Sequence, residues 1–150
     1  MKFNAQNARF GQTRRLHWTI QTMTHPPTPS WPYPRWIAHR GAGKLAPENT
    51  LPAFELGASF GYRMFECDVK LSLDGVPFLL HDATLTRTSN ATELLGRGAS
   101  AVAGDYAWDT LAQLDAGGWY AADYVGTPLP TLAQIAAFCF THDALINLEI

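Results

Sequence analysis

Cysteine, long apolar runs and charge are all scarce in this chain of 150 residues. The two cysteines, Cys67 and Cys139, form no CxxC pair, which leaves no disulfide framework or zinc ribbon to organise the fold, and buried reduced thiols are expected. No segment approaches the roughly 18 uninterrupted apolar residues that a membrane span requires, so no stable membrane insertion is expected. Asp, Glu, Lys and Arg make up 16% of the chain against 47% hydrophobic residues. An average soluble domain is roughly 25% charged, so disorder and coiled coil fit poorly. A single globular α/β core fits well, since a chain of this size buries about 68–70% of its unfolded surface.

Acidic residues are absent from residues 1–47, which carry seven bases: Lys2, Arg9, Arg14, Arg15, Arg35, Arg40 and Lys44. All 13 acids follow, and the formal net charge of -2 hides the asymmetry. The bases are dispersed and no block of like charge forms, so nucleic acid is not an expected partner. The segment has the composition of a transit peptide but no amphipathic repeat, and it has no apolar signal core, so a cytoplasmic location is expected. Five of the ten prolines fall in HPPTPSWPYP, from Pro26 to Pro34. The expected organisation is therefore a basic, proline-rich, disordered leader over 1–34 and a folded domain over 35–150. Met23 opens the proline run, and residues 1–22 lack patterning, as an over-extended translation start would.

Within the domain, short apolar runs alternate with helices or long loops. Trp36-Ile37-Ala38 reads as a strand opening into His39-Arg40-Gly41, and Asn49 or Thr50 can cap a helix carrying Leu51, Phe54, Leu56 and Ala58, ended by Gly57 or Gly61. Further strands are expected over Tyr62–Lys70, Val76–Leu80 and Ala144–Ile150, and a helix over Thr131–Phe140 capped by Thr131. This is the pattern of a parallel α/β architecture. One join conflicts with it: Leu71-Ser72-Leu73-Asp74-Gly75 is too short for an ordinary parallel crossover, and its Asp-Gly pair signals an antiparallel hairpin.

Polar residues capable of chemistry gather where the apolar runs end: His39-Arg40, Glu66 and Asp68, His81-Asp82, Asn147 and Glu149. Glu66 and Asp68 share one face of their strand, and Cys67 points to the other. Adjacent carboxylates repel unless a cation joins them, and Mg²⁺ or Ca²⁺ prefers such oxygen ligands. The plainer alternative is a solvated strand face or a carboxylate paired with arginine. His39 and His81 could each be a structural histidine; together they provide two groups titrating near neutrality, which suits general acid–base chemistry. Arg40 offers a forked donor matched to phosphate. A serine or cysteine nucleophile has little support, because no GxSxG occurs and Cys67 faces away. Gly41-Ala42-Gly43-Lys44 lacks the spacing of a P-loop.

The ordered segments AHRGAGKLAPENTLPAF, FECDVKLSLDGVPFLLHDATLTRTS, LDAGGWYAADYVGTPLPTLAQ and INLEI resemble those of glycerophosphodiester phosphodiesterases over His39–Ile150. The resemblance implies a (β/α)₈ TIM barrel with its site on the C-terminal rim. About four strands of it, the N-terminal half, are expected here, with an inserted cap after the third strand over about 83–126, where Trp119 and Tyr120 either line a glycerol pocket or pack beneath the cap. It also implies His39 and His81 as the catalytic pair, Arg40 as the phosphate ligand, and Glu66, Asp68 and Glu149 as ligands of a divalent cation, Mg²⁺ or Ca²⁺. Because Asp68 and His81 must reach one rim, the barrel turns the Asp74-Gly75 join into a short helix-less crossover.

The implied reaction is hydrolysis of a small-molecule glycerophosphodiester to sn-glycerol 3-phosphate and an alcohol, a step of glycerol and lipid metabolism. The alternatives are a cyclising phosphodiesterase of the phospholipase C type and a truncated, non-catalytic fragment. About 250 residues make such a barrel, so these 150 alone are expected to be inactive and to self-associate through an open barrel edge.

Overall fold

The computed structural model describes residues 30–150, so most of the leader expected over 1–34 lies outside the described residues. The alternation in MFECDVKL sorts strand β1 (Met64–Leu71) onto two faces. Phe65, Cys67 and Val69 enter the main core. There they meet Phe54 of helix α1 (Leu51–Ser59) and Ile135, Phe138 and Cys139 of helix α4 (Leu132–Thr141). Phe54, Phe65 and Phe138 form a triangle of rings with centroids 5.2, 5.9 and 6.0 Å apart. Aromatic pairs at such separations contribute about 0.5–1.5 kcal/mol each beyond their burial.

Helix α4 begins with the expected cap. Thr131 Oγ1 accepts from the Gln134 N–H at 3.2 Å, and Gln134 Oε1 accepts from the Thr131 N–H at 2.8 Å, a reciprocal capping box. The helix is the crossover into β3 (Leu145–Glu149), which lies parallel to β1 and pairs Glu66 with Asn147 and Asp68 with Glu149.

Helix α1 packs backbone against backbone. A Cβ on Gly57 would lie 2.2 Å from the Gly41 carbonyl oxygen, and one on Gly41 would lie 2.8 Å from Ala53 Cβ. Gly57 therefore sits inside α1 as a close-approach position, and Gly61, at φ 87°, follows its end. Thr50 occupies the N-cap position without a capping bond, its hydroxyl donating instead to the Pro47 carbonyl at 2.6 Å.

Two expectations are corrected. First, β1 and β2 (Pro77–Leu79) form an antiparallel pair with Val69 opposite Leu79, Lys70 opposite Phe78 and Leu71 opposite Pro77. The Asp74-Gly75 join is thus a hairpin and not a crossover. Ser72 Oγ donates to Asp74 Oδ1 at 2.5 Å and accepts from the Val76 N–H at 2.8 Å, closing the turn. A common rim does not demand a common strand direction. The return strand folds back until the Leu80 N–H donates to the Asp68 carbonyl at 3.1 Å, which delivers His81 next in the chain.

Second, the strand expected at Trp36–Ala38 contracts to one parallel bridge, Ala38 opposite Phe65. Its two ladder hydrogen bonds both belong to Ala38, whose N–H donates to the Met64 carbonyl and whose carbonyl accepts from the Glu66 N–H, each at 2.9 Å, and the chain turns at His39 immediately after. Among the described residues the parallel segments are consequently three, at Ala38, β1 and β3, and Glu149 closes the third where a fourth strand was expected.

Between β2 and α4 the chain forms α2 (Ala91–Leu94), α3 (Trp108–Leu111) and two 3₁₀ turns, Ala103–Asp105 and Ala122–Tyr124. Their apolar residues build a second core of Leu85, Ala91, Ala103, Leu111, Leu114 and Ala116 against Phe78 and Leu80 of the hairpin. This cap-like layer thereby holds the strand that leads to His81. The compact unit containing these elements runs from Pro32 to Ile150.

Candidate functional site

The parallel register of β1 and β3 fixes the acidic cluster. Glu66 and Asp68 point to the face opposite the main core, and Glu149 stands beside Asp68 on the neighbouring strand. Oxygen atoms of Glu66, Asp68 and Glu149 all lie within 4.8 Å of one another. Burial, reinforced by the negative charge of Asp68, pushes the Glu66 carboxyl above its usual range. Three hard oxygen donors in this cluster fit a divalent cation such as Mg²⁺ or Ca²⁺, which would relieve the repulsion.

The loop after Ala38 wraps this cluster. Arg40 adopts φ 53°, a left-handed conformation costly for a residue with a Cβ. In that conformation its backbone N–H donates to Glu66 Oε2 at 2.9 Å. The same oxygen lies 3.8 Å from His39 Nε2. Arg40 Nη1 donates to Glu48 Oε1 at 2.9 Å, and Nε sits 3.2 Å from Asp68 Oδ2. That approach is an ion pair without hydrogen-bond geometry, and Arg40 Nε is buried with no hydrogen-bond partner.

Asn49, expected as a helix cap, has another task. Its Nδ2 donates to Asp68 Oδ2 at 2.7 Å and its Oδ1 accepts from the Asp68 N–H at 3.3 Å. Asn49 also has a positive φ, 58°, which asparagine tolerates better than most residues.

His81 and Asp82 follow β2, with His81 Nδ1 2.6 Å from Asp82 Oδ1. Arg87 joins this pair to the loop before α1. Its Nε and Nη2 donate to Asp82 at 2.7 and 3.0 Å, and its Nη1 and Nη2 donate to Glu48 at 2.9 and 2.8 Å. The hydrogen bonds from Arg87 hold Asp82 well below the usual carboxylate range and lower Glu48 against the opposing effect of its burial, with His81 adding to the effect on Asp82 and Arg40 to that on Glu48. A continuous chain of contacts thus runs from His81 through Asp82, Arg87 and Glu48 to Arg40, and from there to Asp68.

The structure therefore gathers Glu66, Asp68, Glu149, His39 and Arg40 directly, and ties His81 to them through this chain. Glu48, Asn49 and Arg87 are the members that sequence reasoning missed. In sequence Asn49 signals only a helix cap, Glu48 carries no signal beyond its place in AHRGAGKLAPENTLPAF, and Arg87 is 39 residues from Glu48. With neutral imidazoles, five carboxylates (Glu48, Glu66, Asp68, Asp82 and Glu149) face two guanidiniums, Arg40 and Arg87, an acidic excess that again suits a cation.

Cys67 faces away from the cluster as expected, and burial pushes its thiol up to about 12, which leaves it unreactive. Trp119 and Tyr120 belong to the layer between β2 and α4. Trp119 Nε1 donates to the Ala116 carbonyl, Tyr120 stacks edge-on between Trp119 and Tyr124, and the Tyr120 hydroxyl donates to the Lys44 carbonyl at 2.8 Å. That last bond fastens this layer to the loop that follows His39 and Arg40.

Residues 39–150 match the family model described as the glycerophosphoryl diester phosphodiesterase family. A mouse glycerophosphoinositol inositolphosphodiesterase is 46% identical over 89 residues, covering 59% of this chain and 16% of that protein. Among solved structures, a phosphodiesterase from Oleispira antarctica in complex with the product sn-glycerol-3-phosphate is similar at TM-score 0.70 and 35% identity, over 78% of this chain and 44% of that one. A glycerophosphodiester phosphodiesterase from Agrobacterium tumefaciens gives TM-score 0.66 and 33% identity, over 76% and 46%. The chain thus spans less than half the length of each of these relatives.

Proposed function

The chain belongs to the glycerophosphoryl diester phosphodiesterase family, and on that premise we propose that the complete protein hydrolyses glycerophosphodiesters to sn-glycerol 3-phosphate and an alcohol, with a divalent cation as cofactor. The observation that carries the reading is the convergence of Glu66, Asp68 and Glu149 within 4.8 Å, beside His39 and Arg40. The product named in the Oleispira antarctica complex supports the substrate class.

Glu66, Asp68 and Glu149 are the residues that would hold Mg²⁺ or Ca²⁺. When bound, the cation supplies neutralisation of phosphate charge and a lowered pKa for a coordinated oxygen. Arg40, oriented by Glu48, offers its remaining N–H groups to a phosphate oxygen and stabilises charge developing there. Glu66 holds the backbone N–H of Arg40 and lies beside the His39 ring, so the position of the loop is coupled to the acidic cluster.

His39 and His81 move the protons. One imidazole removes a proton from the attacking oxygen, and the other donates one to the departing alkoxide. With Nδ1 of His81 engaged by Asp82, Nε2 is the nitrogen left to exchange a proton with substrate.

The test is hydrolysis of glycerophosphocholine by the complete protein, stripped with chelator and reloaded. Activity should vanish on stripping, return with Mg²⁺ or Ca²⁺, and stay absent in Glu66→Gln. Full activity in the stripped enzyme, or a cyclic phosphate as the final product, would overturn the proposal.

A further inference from the structure

We propose that Arg87 is a positioning residue, whose two-sided guanidinium fork holds the His81–Asp82 pair and the Arg40–Glu48 pair in register for catalysis. The inference rests on the phosphodiesterase reading above.

A guanidinium has five N–H groups, and Arg87 makes four hydrogen bonds with its own. Two go to the two oxygens of Asp82 at 2.7 and 3.0 Å, and two go to the two oxygens of Glu48 at 2.9 and 2.8 Å. A group so fully engaged has little left with which to grip phosphate. Its effect must pass through the carboxylates it holds.

Each carboxylate has a second partner. Asp82 Oδ1 also meets His81 Nδ1 at 2.6 Å, and Glu48 Oε1 also accepts from Arg40 Nη1 at 2.9 Å. A carboxylate on Nδ1 selects the imidazole tautomer with that nitrogen protonated and Nε2 bare, and it fixes the plane of the ring.

Packing alone does not immobilise this pair, because the His81 and Asp82 side chains are 40% and 26% exposed. Directional bonds must do so. Arg87 grips both Asp82 oxygens and stops that carboxylate from turning away from His81. Lysine, a point charge without a planar fork, cannot hold two carboxylates this way. Arg87 also spans the loop after β2 and the loop before α1, which come from distant parts of the chain. One side chain thereby sets the relative placement of the proposed proton-transfer group and the proposed phosphate ligand.

The experiment uses the complete metal-loaded protein with glycerophosphocholine. Arg87→Ala should lower kcat by about 10–10²-fold, the scale of a misplacement near 1 Å, with KM changed less than about threefold. Arg87→Lys should recover little, whereas free guanidinium added to Arg87→Ala should restore part of kcat. Removing Asp82 and Arg87 together should cost less than the sum of the two single losses, because the Asp82 arm is shared, while the Glu48 arm is lost only with Arg87.

A readout independent of turnover is the ¹⁵N spectrum of the His81 ring. It should report a single Nδ1–H tautomer in the wild type and a mixture in Arg87→Ala, or in Arg87→Lys should the alanine variant not fold. A rise in KM at constant kcat would make Arg87 a substrate ligand and overturn the proposal. Unchanged kcat, or an unchanged His81 tautomer, would reduce Arg87 to a surface ion pair. Should wild-type protein fail to hydrolyse the substrate, the phosphodiesterase reading fails, and the tautomer comparison still decides whether Arg87 orients His81.

Discussion

Gly57→Ala tests how tightly helix α1 is coupled to the proposed catalytic loop. Two effects oppose each other. In a helix interior, alanine is favoured over glycine by about 0.8–1.0 kcal/mol. Against that, the new methyl carbon would stand 2.2 Å from the Gly41 carbonyl oxygen and 2.9 Å from Phe65 Cε1. The first obstacle is backbone, so relief requires the whole turn at Gly41 to move by about 1 Å, the overpacking regime of about 1–3 kcal/mol and occasionally more. Steric cost wins, and a net destabilisation of about 1–2 kcal/mol is expected. Thermal unfolding followed by circular dichroism should show a fall in Tm of roughly 2–8 °C. Because the displaced turn carries Arg40, whose N–H binds Glu66, kcat should fall further than stability alone explains, by about 10²-fold. Gly98→Ala, at a position with nothing within 4 Å, is the control and should stay within about 0.5 kcal/mol of wild type. A Gly57→Ala protein that is more stable than wild type and equally active would refute the claimed backbone contact.

His81→Ala should lower kcat by about 10²–10⁴-fold, the range for a general acid or base, measured as alcohol release at saturating substrate. Truncating Phe138, whose ring meets both Phe54 and Phe65, should cost about 3–5 kcal/mol in urea unfolding, because the cavity lies between α4 and β1. Thr131→Ala removes the hydroxyl of the capping box and should cost about 1 kcal/mol in the same assay. Acid stability follows from Glu48, whose carboxyl is held low chiefly by the hydrogen bond from Arg87. A depressed carboxyl contributes stability that is complete above its unfolded pKa of about 4.3. That contribution is lost as pH falls through the lower folded value. Glu48→Gln should therefore be less stable than wild type at pH 6 and approach it toward pH 3, as thermal melts across that range would report.

The strand alternation in FECDVK was legible because period 2 leaves no freedom: with Phe65 and Cys67 in the core, Glu66 and Asp68 must share the other face. The Thr131 cap and helix α4 were equally direct, since both signals are local. The hairpin shows where a global template misleads. Local turn chemistry at Asp74-Gly75 indicated antiparallel pairing, and the barrel expectation displaced it on the premise that a shared rim requires parallel strands. The register of Val69 with Leu79 removes that premise. The strand count changes with it, because the returning hairpin arm runs antiparallel to β1 and is not a parallel barrel strand. The Arg87 fork was not legible at all. Its partners are decided by how the loop after β2 folds over the loop before α1, a tertiary outcome that periodicity and spacing do not encode. Asn49 was visible as a residue but not as a clamp on Asp68, because a left-handed asparagine before a helix resembles a cap in sequence.

Calorimetric titration of Mg²⁺ or Ca²⁺ into the chelator-stripped complete protein addresses the acidic cluster most directly. One equivalent should bind to wild type, and binding should be lost in both Asp68→Asn and Glu149→Gln, whose carboxylates reach the site from adjacent strands. Equal binding by wild type and both variants, or no binding by correctly folded wild type, would contradict a shared cation site built from β1 and β3.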